Sequence, residues 1–339
     1  MKNHLKKVLV TGATGYIASH CIRVLLEKGF QVKGSVRDLK QIEKIKNLIL
    51  EPFHEGKLEF CELNLLNNKD WNNALNDCDY LMHIASPCTI KEPNKESKVI
   101  YPALQGTLNA LKAAYKSKIK KVVLTSSIGA MAYGNEKKIC ETSDWTDVSQ
   151  NVGSYIKSKT LAEKAAWNYF NNLPNPNFSL TTINPGMVFG PVINGNFGGV
   201  SSNMILNLIR GKYPALPNIY FTVVDVRDVA NIHVEALHKS ESDNKRLLVT
   251  SQKSLSFIEI SKTLKKIGFK KCPTKIVPKS LINFLALFNK DMRTTSMMIK
   301  KGYFTADISR TISLFNWSPI PLEKTLRDMT ISFENFDNR

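Results

Sequence analysis

The sequence predicts an α/β protein: a doubly wound parallel sheet with helices on both faces, followed by a smaller C-terminal lobe. Three observations carry this. Strand-like apolar runs alternate with helix-like segments from residue 7 to residue 184. A glycine turn, Thr11-Gly12-Ala13-Thr14-Gly15, separates the first such run from the first helix-like segment. From about residue 186 the alternation decays into shorter elements.

Taken in order, residues 7–10 (Lys-Val-Leu-Val) read as a buried strand. Residues 15–28 place Ile17, Cys21, Val24 and Leu25 at helical spacing and stop at Gly29, a C-terminal signal. A strand over 31–36 precedes an amphipathic helix over 39–50, with Ile42, Ile45, Leu48 and Ile49 on one side. Strands are expected at 58–63, 80–85 and 121–127, with a long helix over 97–116. A further helix runs through Tyr155 to about Phe170 and breaks at Pro174 and Pro176. Residues 178–184 are strand-like and lead into the turn Pro185-Gly186. A glycine-rich loop covers 195–200, and short elements cover 219–224, 229–237 and 246–250. Helices are expected near 256–267, 281–288 and 322–333. There is no internal repeat and no low-complexity linker. The expected division is a nucleotide-binding and catalytic unit at 1–184 and, at 185–339, mostly a substrate lobe with some elements returning to the sheet.

A chain of 339 residues, 43% hydrophobic, is ample for one large core or two closely joined ones. The N-terminus runs through basic residues straight into the first strand, unlike a secretory or transit segment, so a cytoplasmic protein is expected. The apolar stretch 281–288 is too short to span a bilayer, and no membrane partner is expected. Six cysteines without CxxC pairing or metal-ligand rhythm point to reduced thiols and no metal. The net charge of +18 comes from lysines scattered along the chain. No basic stripe carries interleaved aromatics, which argues against nucleic acid as a partner.

The glycine turn follows a strand and opens a helix, the context that makes such a motif a dinucleotide cradle. Gly12 permits the tight turn, and Gly15 lets the backbone approach a pyrophosphate with no Cβ in the way. The helix then aims its free N–H groups and dipole at the phosphates. The spacing is G-x-x-G-x-x-A, with Ala18 at the close-packing position, and the sheet is expected to be Rossmann-type. An acid ending the second strand would suit NAD, whereas an arginine accommodates the 2′-phosphate of NADP. Here Ser35-Val36 is followed by Arg37 and Asp38. The planar guanidinium of Arg37 suits a phosphate, and Lys40 and Lys44 could add charge, so NADP(H) is the expected cofactor.

Tyr155 and Lys159 are four apart, hence about one turn apart on one helix face. A free tyrosine titrates near pH 10, and a fixed ammonium beside it would lower that value. Ser127 closes the run Val-Leu-Thr-Ser-Ser at the carboxyl end of a strand, where ligands gather in open parallel sheets. Its hydroxyl can hold a carbonyl oxygen while tyrosine protonates it. The nicotinamide performs the hydride chemistry.

With these motifs in place the chain resembles the extended short-chain dehydrogenase/reductases. More narrowly, it resembles the branch of dihydroflavonol reductases, cinnamoyl-CoA reductases and microbial aldehyde or ketone reductases. The likeness rests on residues 10–18, Val36-Arg37-Asp38, the run 78–87 ending His83-Ile84-Ala85-Ser86-Pro87, residues 123–127, the run 155–167 (YIKSKTLAEKAAW), Asn184-Pro185-Gly186 with Val188, and residues 224–230. It implies Ser127, Tyr155 and Lys159 as the catalytic set. Gly12, Thr14, Gly15, Tyr16 and Ile17 would meet the pyrophosphate region, and Arg37 and Lys44 the 2′-phosphate. Ile84, Ala85, Ser86, Pro185 and Val188 would line the nicotinamide side. Asn64 and Leu65 would lie beside the adenine, where relatives usually carry Asp-Leu. Two departures point away from plant phenolic enzymes. Residues 151–159 lack the Asn-Trp-Tyr-Cys-Tyr run typical of cinnamoyl-CoA reductases, and 129–142 looks shorter than the flavonoid enzymes' substrate-facing loop.

The resulting expectation is an NADPH-dependent reductase of aldehydes or ketones, acting on a small-molecule carbonyl substrate as a monomer or homodimer. Alternatives are an NAD-retaining nucleotide-sugar epimerase or dehydratase, a 3β-hydroxysteroid dehydrogenase-like enzyme, or a non-catalytic NADP sensor. His83 and His233 are read as packed side chains, and Asp225, Arg227 and Asp228 as a buried ion-pair network.

Overall fold

The computed structural model describes residues 5–42, 56–89, 91–193, 195, 197 and 199–337. The first apolar run becomes β1 (Lys7–Val10), with Val8, Leu9 and Val10 fully buried. The glycine turn leads into α1 (Tyr16–Glu27), followed by β2 (Gln31–Val36). Of the helix expected over 39–50, the structure shows a 3-10 turn at Leu39–Gln41, and residues 43–55 lie outside the described residues. Next come β3 (Leu58–Glu62), α2 (Asn68–Leu75), β4 (Tyr80–His83), α3 (Ser97–Lys116) and β5 (Lys121–Thr125). The chain continues through α4 (Ser154–Asn171) into β6 (Ser179–Pro185).

The C-terminal half holds α5 (Val200–Ile209), α6 (Val226–His238), β7 (Lys245–Val249) and α7 (Phe257–Lys266). It ends with α8 (Lys279–Ala286), α9 (Lys290–Lys301), α10 (Ser309–Phe315) and α11 (Leu322–Asp337). Strand β7 returns to the edge of the main sheet and pairs with β6.

The seven strands run parallel in the order β7-β6-β5-β4-β1-β2-β3. Helices α1 and α6 pack together on one face through Cys21, Ile22, Leu25, Val229 and Ile232. On the other face α2, α3 and α4 bury Trp71, Leu111, Ala114, Ala166 and Phe170. Full burial of each large apolar side chain contributes roughly 1.5–3 kcal/mol. Strand order reverses between β1 and β4, and the crevice beyond the carboxyl ends of the strands at such a reversal is where ligands bind.

Helix α11 is fastened to the start of α6. Arg227 donates to Asp225 and Asp328 at 2.7 Å each, and Thr325 donates to Asp225 at 2.8 Å. Asp228 accepts the Ile320 N–H at 2.8 Å. A reciprocal capping box between Ser256 and Glu259 starts α7. Among the described residues no helix is long and apolar enough to cross a membrane.

Candidate active site

A cavity of about 770 Å³ opens at the carboxyl edge of the sheet. Its wall follows the strand order. Beyond β1 and β2 it is lined by Gly12, Gly15, Tyr16, Ile17 and Arg37. Beyond β4 come Ile84, Ala85 and Ser86, beyond β5 Ser127, and beyond β6 Pro185 and Val188. Tyr155 and Lys159 enter from α4. The predicted residues therefore converge on one space from stretches up to 176 residues apart, Gly12 to Val188.

Of the remaining expectations, one lies outside the described residues and two lie off this wall. Lys44 lies outside the described residues. Thr14 sits in the glycine turn but is not on the cavity wall. Asn64 and Leu65 form the bend after β3, away from that wall. The Asn64 carbonyl oxygen Oδ1 accepts the Leu66 N–H at 3.0 Å, and the Leu65 backbone oxygen accepts from Trp71 and Asn109.

The cradle can be tested against a dinucleotide on its own geometry. Gly12 has φ +70°, and a Cβ there would stand 2.9 Å from Cβ of Ala85. Its N–H is held by the Ser35 hydroxyl at 3.1 Å. Helix α1 starts at Gly15 with no side-chain cap, so its first N–H groups face the cavity as an anion site. Tyr16 donates its hydroxyl to the Gly190 carbonyl at 2.7 Å and ties this turn to the C-terminal lobe. Arg37 is exposed on the same wall, while Asp38 turns away to cap Lys40 N at 2.9 Å. These residues fit a phosphorylated dinucleotide.

Helix α4 is aimed from its first turn. Gly153 has φ +81°, and a Cβ there would come within 2.7 Å of Glu92 Oε1. Both Glu92 oxygens accept the Ser154 N–H, at 3.0 and 3.1 Å, so a distant carboxylate caps the helix that carries Tyr155 and Lys159. Ser127 Oγ accepts the Gly129 N–H at 3.0 Å at the end of β5.

Burial pushes the Tyr155 hydroxyl well above the ordinary tyrosine range; the neighbouring Cys88 thiol adds to this, and a hydrogen bond with Ser127 opposes it. The Lys159 ammonium donates to the Thr125 carbonyl at 3.3 Å. Burial draws its pKa down, while Cys88 and Glu163 hold it up. The expected lowering of the tyrosine pKa by Lys159 is therefore not what this geometry shows. The ammonium is committed to a carbonyl one strand away, and desolvation dominates at the phenol.

Behind Lys159, one helical turn on, lies a network that the sequence reading did not single out. Glu163 is 1% exposed and accepts from Ser126, from Thr182 at 3.1 Å, from Asn184 at 2.7 Å and from Arg246 at 2.8 Å. Asn184 also donates to the Ser127 carbonyl at 3.1 Å. The network thereby joins the ends of β5 and β6 to α4. The histidines are structural: Thr125 donates to Nε2 of His233 (2.7 Å), whose Nδ1–H donates to the Val229 carbonyl (2.7 Å). His83 contacts Thr11 at 3.0 Å, and burial pushes it down to about 3.

The arrangement fits a dinucleotide-dependent enzyme. The chain belongs to the NAD dependent epimerase/dehydratase family, whose model matches residues 8–249, and so to the extended short-chain dehydrogenase/reductases. It is 38% identical over 250 residues to cinnamoyl-CoA reductase CAD2 of Medicago truncatula, covering 71% of this chain and 75% of that one. Two solved structures share the fold over nearly the whole length. The NADPH complex of Gre2 from Candida albicans has a TM-score of 0.80 at 27% identity, covering 98% of this chain and 99% of that one. The NADPH complex of yeast methylglyoxal/isovaleraldehyde reductase Gre2 has a TM-score of 0.81 at 23% identity, with the same coverage. The chain is an oxidoreductase, a reductase of this family.

Proposed function

We propose that the protein is an NADPH-dependent reductase of aldehydes and ketones, with Ser127, Tyr155 and Lys159 as its catalytic set. The observation that carries this is their opening, with Arg37 and the glycine turn, on one cavity. The reductase named in the Medicago relative and the NADPH-bound reductases among the structural neighbours support it.

When bound, NADPH supplies the hydride. Gly12, Gly15 and the first turn of α1 would hold its pyrophosphate, and Arg37 its 2′-phosphate. Ile84, Ala85, Ser86, Pro185 and Val188 would flank the nicotinamide. Ser127 holds the substrate carbonyl oxygen by a hydrogen bond, and Tyr155 gives that oxygen its phenolic proton. An ordinary tyrosine already carries its proton at neutral pH, and the burial that raises the Tyr155 pKa makes it a weaker acid until a cation comes near. The phenolate left behind needs a cation, and Lys159 can supply it by leaving the Thr125 carbonyl.

The substrate end of the cavity includes Ile128, Tyr133, Val152, Met187, Phe221 and Met298. This apolar wall suits a small uncharged carbonyl compound. The testing experiment follows absorbance loss of NADPH, and separately NADH, against aliphatic, aromatic and dicarbonyl substrates. Faster NADPH consumption is expected with some members. Silence with both cofactors, together with NAD tightly retained on purification, would favour an epimerase or dehydratase instead.

A further inference from the structure

The reductase reading does not use helix α8, and its surface is anomalous. Leu281, Phe284 and Leu285 share one face of α8 at i, i+3, i+4 spacing, and Phe288 continues it in the turn just past Ala286. That face points to solvent: the four side chains are 47, 58, 40 and 78% exposed. Leu287 and Ile276 beside them are 65 and 52% exposed. The inward side is satisfied separately, because Ile282 is 3% exposed and Asn283 accepts from Ser296 of α9 at 2.8 Å. The rings of Phe284 and Phe288 already pack edge to face at 5.8 Å. An apolar stripe on a helix is normally covered.

Charge says what covers it. Lys270, Lys271, Lys275, Lys279, Lys290 and Arg293 flank this run in sequence and are all exposed. The single acid between residues 270 and 293 is Asp291, and it turns inward to accept the Glu92 N–H at 2.8 Å. Arg293 is fixed at the end of α8 by the carbonyls of Ala286, at 2.8 Å, and Leu287, at 3.1 Å. An isologous pairing with a second copy would bring this basic collar against itself. A short amphipathic helix with protruding Phe and Leu and a cationic rim suits the headgroup region of an anionic bilayer.

We propose that the α8 face is a peripheral docking surface for anionic membranes, on which the protein lies without spanning. Leu281, Phe284, Leu287 and Phe288 enter the interface, and Lys275, Lys279, Lys290 and Arg293 meet the lipid phosphates. Each cation near such a surface adds about fivefold in partitioning, so four acting in part give roughly a hundredfold preference for anionic vesicles.

The experiment is cosedimentation of the full chain with phosphatidylcholine vesicles, with and without phosphatidylserine, at low and high salt. The expected result is binding only with phosphatidylserine, released by salt. Binding should also be lost in the double variant Leu287→Ser with Phe288→Ser and weakened in Lys275→Glu with Lys279→Glu. These side chains are exposed, so both variants should fold, which circular dichroism and NADPH oxidation check. Equal binding with and without phosphatidylserine overturns the proposal. So does failure to bind anionic vesicles at low salt, which leaves the face to an acidic protein. A concentration-dependent dimer that the serine variant dissolves also overturns it, in favour of a second copy.

Discussion

Replacing Glu163 by glutamine perturbs the network behind the catalytic helix with almost no change of shape. The carboxylate accepts from four side chains: Ser126 just past β5, Thr182 and Asn184 on β6, and Arg246 on β7. Glutamine keeps one acceptor oxygen and puts an NH₂ group among those donors. Arg246, whose side chain is 11% exposed, also loses its charged partner. Breaking a buried ion pair from one side costs about 3–5 kcal/mol. Arg246 retains the carbonyls of Thr142 and Asp144, each at 2.7 Å, and the face of Trp145 at 3.6 Å. That places the Glu163→Gln loss at the lower end, about 3 kcal/mol. Lys159 loses a negative charge that helps keep it protonated. Its pKa falls further, so the alkaline limb of the NADPH-oxidation profile should move to lower pH. Urea denaturation and a pH profile read the two effects. A loss under about 1 kcal/mol with an unmoved alkaline limb would refute the reasoning.

Arg37→Ala should remove a charge-assisted contact worth about 1.5–3 kcal/mol, cutting the NADPH-over-NADH ratio of kcat/KM by roughly ten- to a hundredfold; an unchanged ratio would remove Arg37 from cofactor choice. Gly153→Ala should destabilise the protein by about 1–3 kcal/mol from positive-φ strain and push Glu92 off the start of α4, a change read as a shifted urea midpoint and slower turnover. His20, His83 and His233 are held by burial at about 4, 3 and 4. They stay neutral when folded but take protons when unfolded below about pH 6.5. Stability is therefore full above that pH and is lost as pH falls toward 4, with a slope approaching ~1.4 kcal/mol per pH unit for each histidine. A flat urea midpoint between pH 7 and pH 5 would contradict this.

Much of the fold is legible in the sequence because its signals are local. The run 97–116 repeats its apolar and small residues at helical spacing, and α3 occupies those residues. The glycine turn, Arg37, Ser127, Tyr155 and Lys159 stand at strand ends and helix starts, and parallel strand order brings them together without further information. Helix α2 escaped because Asn68, Asn72 and Asn73 are weak helix formers; Trp71 burial and the Asn67 cap hold it. Helix α9 escaped because most of its apolar residues, Met297, Met298 and Ile299, fall in one short run among polar ones, yet it brings Thr294 and Met298 to the cavity wall. Glu92 sits in a lysine-rich loop and reads as a solvated charge until the turn at Gly153 shows it capping α4. Glu163 is one helical turn past Lys159, but its partners Thr182, Asn184 and Arg246 meet it only through sheet pairing. Long-range contacts of this kind have no sequence periodicity to announce them.

The most direct test of the account is the turnover of Tyr155→Phe, measured as NADPH oxidation with the best carbonyl substrate alongside NADPH affinity by fluorescence. The ring half-buried in the cavity wall is kept and only the proton-bearing oxygen is lost. The account predicts a fall in kcat of about 10²–10⁴ with NADPH affinity unchanged. Turnover near that of the unaltered protein would contradict it, because the proton would then come from another group.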